Sequence, residues 1–332
     1  PGFNGSGNGG GGTTYGLPLF REAEFLARFP FARLRLTDTA VPLHVELTAW
    51  SPFTPPAADD SSLPVAAVEY RFTNTLDVPL EAVFSFHCEN LVAIEGSPNS
   101  RVRPMPGGFL LGQPPADNAS WEEAAFGVTC DHPSTAVDCA WFRGGWFDSL
   151  TMLWKNTSSG KVISQEPHST GAASSGASLY VPLNLDAKQT KTVRLLMAWY
   201  VPRSNIRTGQ HASRPAESGQ EQDACCPDGE CCPDEPTHYV PWYAQRFGGI
   251  NDVVDYWRRD YDRLRRTSAT FRDCLFDTTL PPEVIEAVAA NLSILKSPTC
   301  LRQHDGRFWG WEGCRDIDGC CSGSCTHVWN YA

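Results

Sequence analysis

Basic residues are in short supply here. Lys and Arg number 27 against 38 Asp and Glu, a formal net charge of −11. A phosphate backbone is held by clustered cations that displace its counterions, so nucleic acid is excluded as an expected partner. Long apolar runs are missing too. None approaches the roughly 18 residues that read as a bilayer span, and the Gly-rich start lacks the charged and apolar regions of a secretory signal. No integral membrane segment is expected, and a cytoplasmic location is. What the chain does have is apolar and aromatic: 332 residues, 41% hydrophobic, 11% aromatic, with 11 Trp. That length and content suit two domains with a sizeable core. Flat rings on this scale serve either sugar faces or the interior of a β-sandwich.

The 13 cysteines are an odd number and cannot all pair within the chain. Several, such as Cys88 in Val83-Phe84-Ser85-Phe86-His87-Cys88, stand in strand-like text and read as small buried hydrophobes. Without a secretory signal, a reduced state is favoured over a disulfide scaffold. Two clusters stand apart. Cys225-Cys226 and Cys231-Cys232 are vicinal pairs at a spacing that matches no standard zinc motif. Cys314, Cys320, Cys321 and Cys325 form C-x5-C-C-x3-C. Four thiolates could hold zinc tetrahedrally, yet these gaps depart from C-x2-C knuckles, and buried thiols or a loop-fixing disulfide read as well. No metal and no cofactor is expected. The sequons at Asn118, Asn156 and Asn291 are short enough to arise by chance.

From about Phe31 to Pro202 the text is strand text, with short alternating apolar runs between clusters of Pro, Gly, Asn, Asp and Ser. Leu34 and Leu36, then Val45, Leu47 and Ala49, then Val68, Tyr70 and Phe72 each give one face to a core, and Leu179–Leu183 and Val193–Tyr200 continue the series. Such runs without intervening helices predict an antiparallel two-sheet sandwich. Residues 203–237 are polar and rich in Pro and Gly, a linker or long loop. After Trp242 the period changes. Ile250, Val253, Trp257, Tyr261, Leu264, Phe271 and Leu275 mark a long amphipathic helix. Pro281 and Pro282 open a second helix that closes near Pro298. Two or three helices cannot enclose a core of their own, so they dock on the sandwich or belong to a larger helical domain. The chain starts at Pro1, and Ala332 stands in helical text without a stop signal; a fragment at both ends is expected.

The last 25 residues, from Phe308 to Ala332, concentrate rings, carboxylates, thiols and an imidazole. Trp311 and Trp329 suit the face of a pyranose or a core equally. Glu312 is the tempting nucleophile, with Asp316 or Asp318 its tempting acid, but nothing in the sequence fixes their separation. A Glu accepting hydrogen bonds from sugar hydroxyls or backbone amides, or a structural cap, fits the same position. His327 either lines a subsite, orients a carboxylate or serves structure. Asn330 lies about one helical turn further on and shares its face.

Three stretches resemble glycoside hydrolase family 116, which includes bacterial β-glucosidases and the non-lysosomal glucosylceramidases. The first is Thr48-Ala49-Trp50-Ser51-Pro52-Phe53-Thr54-Pro55 with Asp59-Asp60-Ser61-Ser62-Leu63-Pro64-Val65-Ala66. The second is Phe276-Asp277-Thr278-Thr279-Leu280-Pro281-Pro282, running on through Asn291-Leu292-Ser293-Ile294-Leu295-Lys296-Ser297-Pro298-Thr299-Cys300. The third runs from Trp311-Glu312-Gly313-Cys314 to Thr326-His327-Val328-Trp329-Asn330-Tyr331. The resemblance covers nearly the whole chain apart from the Gly-rich start and the cysteine-bearing insert.

The family's pattern implies an N-terminal antiparallel β-sandwich followed by the first helices of an incomplete (α/α)6 barrel. The implied division is a lead-in at 1–30, a sandwich at 31–245 with its insert at 203–237, and a linker helix with the start of the catalytic domain at 246–332. It also implies a retaining mechanism, in which two carboxyl groups about 5 Å apart form and then hydrolyse a glycosyl-enzyme. In the family both carboxylates follow the Thr-His-Val-Trp-Asn-Tyr segment. Glu312 apart, no catalytic residue is assigned in this chain, and Trp311, Glu312, His327, Trp329 and Asn330 are the expected substrate contacts. The expected activity is that of a retaining exo-β-glycosidase on β-glucosides, glucosylceramide-like ones included, with this chain inactive alone. Its expected partners are a β-linked glycoside and the remainder of the catalytic domain, in cis or as a separate chain. Two other readings stand beside it: a non-catalytic carbohydrate-binding sandwich, and a zinc-stabilised interaction module built on the cysteine clusters.

Overall fold

The computed structural model describes residues 18–95, 97, 100–144, 148–206, 238–312 and 324–331. The Gly-rich start, the insert with its paired cysteines, and Cys314, Asp316, Asp318, Cys320 and Cys321 lie outside the described residues.

The alternating runs become strands β1 (Glu22–Arg28), β2 (Phe31–Thr37), β3 (Leu43–Trp50), β4 (Val65–Asn74), β5 (Leu80–Glu89), β6 (Arg101–Met105), β7 (Gly108–Gln113), β8 (Ala124–Cys130), β9 (Ala136–Asp138), β10 (Gly176–Leu185) and β11 (Thr190–Tyr200). One sheet has eight strands in the order β1-β2-β3-β4-β11-β8-β7-β6, and the other has three in the order β5-β10-β9. All the ladders in both sheets are antiparallel. The sheets meet face to face. Phe72, Phe109, Leu111, Val128, Val193 and Leu195 of the large sheet pack against Phe84, Leu179, Val181 and Leu183 of the small one. This is the expected sandwich core, made by the inward residues of period-2 strands.

Two details depart from the strand text. Pairing begins at β1, ahead of Phe31, with Phe25 opposite Leu34. The text also hides a helix. After the short helix α1 (Ala58–Ser61) comes α2 (Ser149–Ser158), in a region read as free of helices. Asp148 caps it, accepting from the Thr151 amide at 2.7 Å, which satisfies a donor the helix cannot pair internally. Thr157 of α2 lies 3.3 Å from the His87 ring, so the helix rests on the outward side of the small sheet.

Beyond β11 come α3 (Trp242–Arg246) and α4 (Ile250–Phe276). The heptad-like spacing of Ile250, Val253, Trp257, Tyr261 and Leu264 buries one stripe of α4. Asp252 in its first turn accepts from the Gly248 amide at 2.9 Å and places a negative charge where the helix dipole favours it. Of the two fates open to these helices, α4 takes docking on the sandwich. It covers the outer face of the large sheet, joining Trp50, Val65, Ala67, Leu196 and Ala198 in a second core. Trp50 and Trp257 meet edge to face at 5.1 Å.

Polar contacts fix the docking angle of α4. Glu69 of β4 accepts from Arg265 at 2.6 and 3.0 Å, from the Trp50 indole at 3.2 Å and from the Tyr261 hydroxyl. Burial by itself would raise the Glu69 pKa, but these donors outweigh it and hold the carboxyl below its ordinary value.

Next comes α5 (Pro282–Leu292), with Pro282 in its first turn as predicted, then a 3-10 turn over Ser293–Lys296. A small hairpin of β12 (Cys300–Arg302) and β13 (Phe308–Gly310) follows, and α6 (Thr326–Tyr331) comes last. Among the described residues no helix is long and apolar enough to cross a membrane.

Candidate functional site

The hairpin brings the C-terminal candidates together. Gln303, buried beneath it, accepts from the Trp309 indole at 2.6 Å. Gly310 anchors two chain segments at once: its amide donates to Ser324 Oγ at 2.9 Å, and its carbonyl accepts from the Cys325 amide at 2.7 Å. The Trp311 amide donates to the Thr299 carbonyl at 2.8 Å. Trp311 and Glu312 therefore leave β13 alongside Ser324 and Cys325, which lead into α6. Val328 on the first turn of α6 is fully buried and pins the helix.

From this frame three side chains converge. Cys325, 3% exposed, donates its thiol to Glu312 Oε2 at 3.0 Å. His327 Nδ1 lies 3.8 Å from the same oxygen. The Glu312 side chain is 28% exposed and that of His327 77%. Asn330 is exposed on α6, and Trp329 belongs to the same helix. The Trp311 indole N–H is buried and makes no hydrogen bond to a described residue. As for chemistry, the groups that meet Glu312 Oε2 in the cluster are a thiol and an imidazole. Asp316 and Asp318, the acids considered for pairing with Glu312, lie outside the described residues.

A cleft elsewhere was not anticipated. A cleft of about 620 Å3 opens between the sandwich and the hairpin, walled by Trp121, Trp199, Tyr239, Trp242 and Phe308. Cations line it as well. The Arg302 guanidinium lies 4.3 Å from the Trp242 ring centre and pairs with Asp59 at 2.8 Å. Lys296 donates to the Ser61 carbonyl at 2.7 Å, and burial lowers its pKa to about 8. The Tyr243 hydroxyl donates to the Val201 carbonyl at 3.0 Å, and burial pushes its pKa up to about 12. Rings beside hydrogen-bond donors suit a polyhydroxylated ligand. These residues come from widely separated segments, so no local motif marks them. The one signal was the density of rings in Tyr239-Val240-Pro241-Trp242-Tyr243.

The family model described as beta-glucosidase 2, glycosyl-hydrolase family 116 N-term, matches residues 4–264. A comparison with curated proteins finds no match. Similar solved structures include a putative kojibiose phosphorylase from human microbiome, with a TM-score of 0.32 and 9% identity, covering 54% of this chain and 20% of that one. A family GH92 α-mannosidase from Bacteroides thetaiotaomicron has a TM-score of 0.29 and 12% identity over 87% of this chain and 30% of that one. The chain thus spans 20% to 30% of the length of these two proteins.

Proposed function

Since the chain belongs to glycoside hydrolase family 116, whose N-terminal model spans residues 4–264, we propose that it is the N-terminal part of a retaining exo-β-glycosidase acting on β-glucosides. That match is the observation carrying the proposal. Retention requires a carboxylate that attacks the anomeric carbon and a carboxylic acid that protonates the leaving oxygen, about 5 Å apart. The described groups that meet Glu312 Oε2 are a thiol and an imidazole, neither of them the second carboxyl that this chemistry needs. We assign both catalytic carboxylates to a catalytic domain contributed by the rest of the protein.

In this proposal residues 1–30 lead in and end in β1, the edge strand of the large sheet, 31–245 form the rest of the sandwich with its insert at 203–237, and 246–332 supply a linker helix and the opening helices of an (α/α)6 barrel. Trp311 and Trp329 offer faces to the sugar ring, while Glu312, His327 and Asn330 offer polar atoms to its hydroxyls. A cytoplasmic setting is supported by the unpaired thiols of Cys88, Cys130, Cys139, Cys274 and Cys300.

The test compares two samples on a chromogenic β-glucoside. The 332-residue chain is expected to give no turnover, and the full-length protein to release glucose as the β-anomer, read by NMR before mutarotation. Turnover by the chain alone that disappears in Glu312→Gln overturns the assignment of the carboxylates. A full-length protein that binds the glucoside without cleaving it overturns the hydrolase reading in favour of a sandwich that only holds glycans.

A further inference from the structure

We propose that Glu312 Oε2, Cys325 Sγ and His327 Nδ1 form a binding site for one zinc-class divalent cation, clamping the exit of the β12–β13 hairpin to the first turn of α6. The three donor atoms all lie within 4.8 Å of one another. A tetrahedral zinc ion with bonds of about 2.0–2.3 Å holds its ligand atoms roughly 3.3–3.8 Å apart. Two of the separations stand near that range, at 3.0 Å from sulfur to oxygen and 3.8 Å from nitrogen to oxygen, and the sulfur lies no more than 4.8 Å from the nitrogen.

The donor set selects the class of ion. Thiolate, imidazole and carboxylate together match zinc and its softer neighbours, whereas calcium and magnesium take oxygen ligands throughout. A thiol-to-carboxylate hydrogen bond accounts for two of the atoms. It does not account for an imidazole nitrogen brought to the same oxygen.

The site is also half built. The Cys325 amide is tied to the Gly310 carbonyl and the Trp311 amide to the Thr299 carbonyl, so two of the three ligands hang from a fixed backbone. The third, His327, has an exposed ring with room to close the remaining distance. The same exposure gives an ion its entry path, and water completes the fourth position. On binding, the sulfur–metal bond forms as the Cys325 proton leaves to solvent, with no change of oxidation state. Glu312 Oε1 and His327 Nε2 remain available to a sugar, so the proposal stands independently of the glycosidase reading.

The experiment uses the 332-residue chain, stripped with a chelator and titrated with cobalt(II), which is isomorphous with zinc and has a visible spectrum. We expect one equivalent bound, a sulfur-to-cobalt charge-transfer band, and about one proton released per ion. Cys325→Ser is expected to abolish the band. His327→Ala, at an exposed position that leaves the circular dichroism unchanged, is expected to weaken zinc by at least about tenfold. A wild-type chain without a stoichiometric ion, a band that persists in Cys325→Ser, or an unchanged affinity in His327→Ala would each overturn the site. All of these readouts are independent of glycoside turnover.

Discussion

His87 shows how burial turns one side chain into a pH-dependent element. Its ring nitrogens lie 2.8 Å from Ser178 Oγ and 2.9 Å from Ser85 Oγ, and the ring packs edge to face on Tyr180 at 5.6 Å. Desolvation lowers its pKa from 6.5 to about 4. Below about pH 6.5 the unfolded chain therefore takes up a proton that the folded chain refuses. Stability then falls as pH drops from about 6.5 to about 4 and levels off below, a loss of up to about 3 kcal/mol. Urea unfolding across that window should show the slope in the wild type and a shallower one in His87→Gln. A variant that keeps the full slope would place the proton elsewhere. In the sequence His87 was one residue of an apolar run; its hydroxyl partner Ser178 lies 91 positions away, which is why its neutrality was not legible. Glu69 was hidden in the same way, with Arg265 196 positions distant.

Among the elements, α4 carries the most. Trp257 is 1% exposed and donates its indole N–H to the Ala66 carbonyl at 3.3 Å. Trp257→Ala removes a large buried ring and orphans an acceptor, at a cost of about 3–5 kcal/mol. The fall should appear in the urea midpoint, with hydrogen exchange rising first along α4; a loss under about 1 kcal/mol would mean that the helix contributes little to the fold. The sequence announced α4 because apolar residues recur along one stripe from Ile250 to Leu264 and again at Phe271 and Leu275, and announced α5 through its opening prolines. It did not announce β1 or α2. In β1 most side chains are exposed, so no face alternates in polarity, and α2 buries only Leu153 along its length. Periodicity records burial, and these two elements have little of it.

At the scale of the molecule, the change of period near residue 245 divides a mostly stranded part from a mostly helical one, while packing joins them. Trp50, Val65, Ala67, Leu196 and Ala198 of the sheet share a core with α4. A chain of residues 1–245 should therefore expose that face, bind a hydrophobic dye and precipitate, while a chain of residues 1–276 unfolds cooperatively. A monomeric 1–245 product with a sharp unfolding transition would show that the sheet face needs no cover. The candidate site was legible as a local density of reactive groups between Phe308 and Tyr331. The meeting of Glu312 with Cys325 required the Gly310 anchor, and the aromatic cleft required chain segments that no local pattern connects.

Strand β11 runs through the middle of this arrangement. Val193 and Leu195 point into the space between the sheets, while Leu196, Ala198 and Tyr200 point toward the helix. A half-wet strand resists a one-residue slip because the slip would drown its oily side. From Leu195 to Ala198 both chambers are dry, so there polarity gives no such warning. Alignment of β11 must instead be enforced by size, each chamber accepting only the volumes cut for it. Along Leu195–Ala198 a single inserted residue would leave each side chain under cover and yet none in its own place.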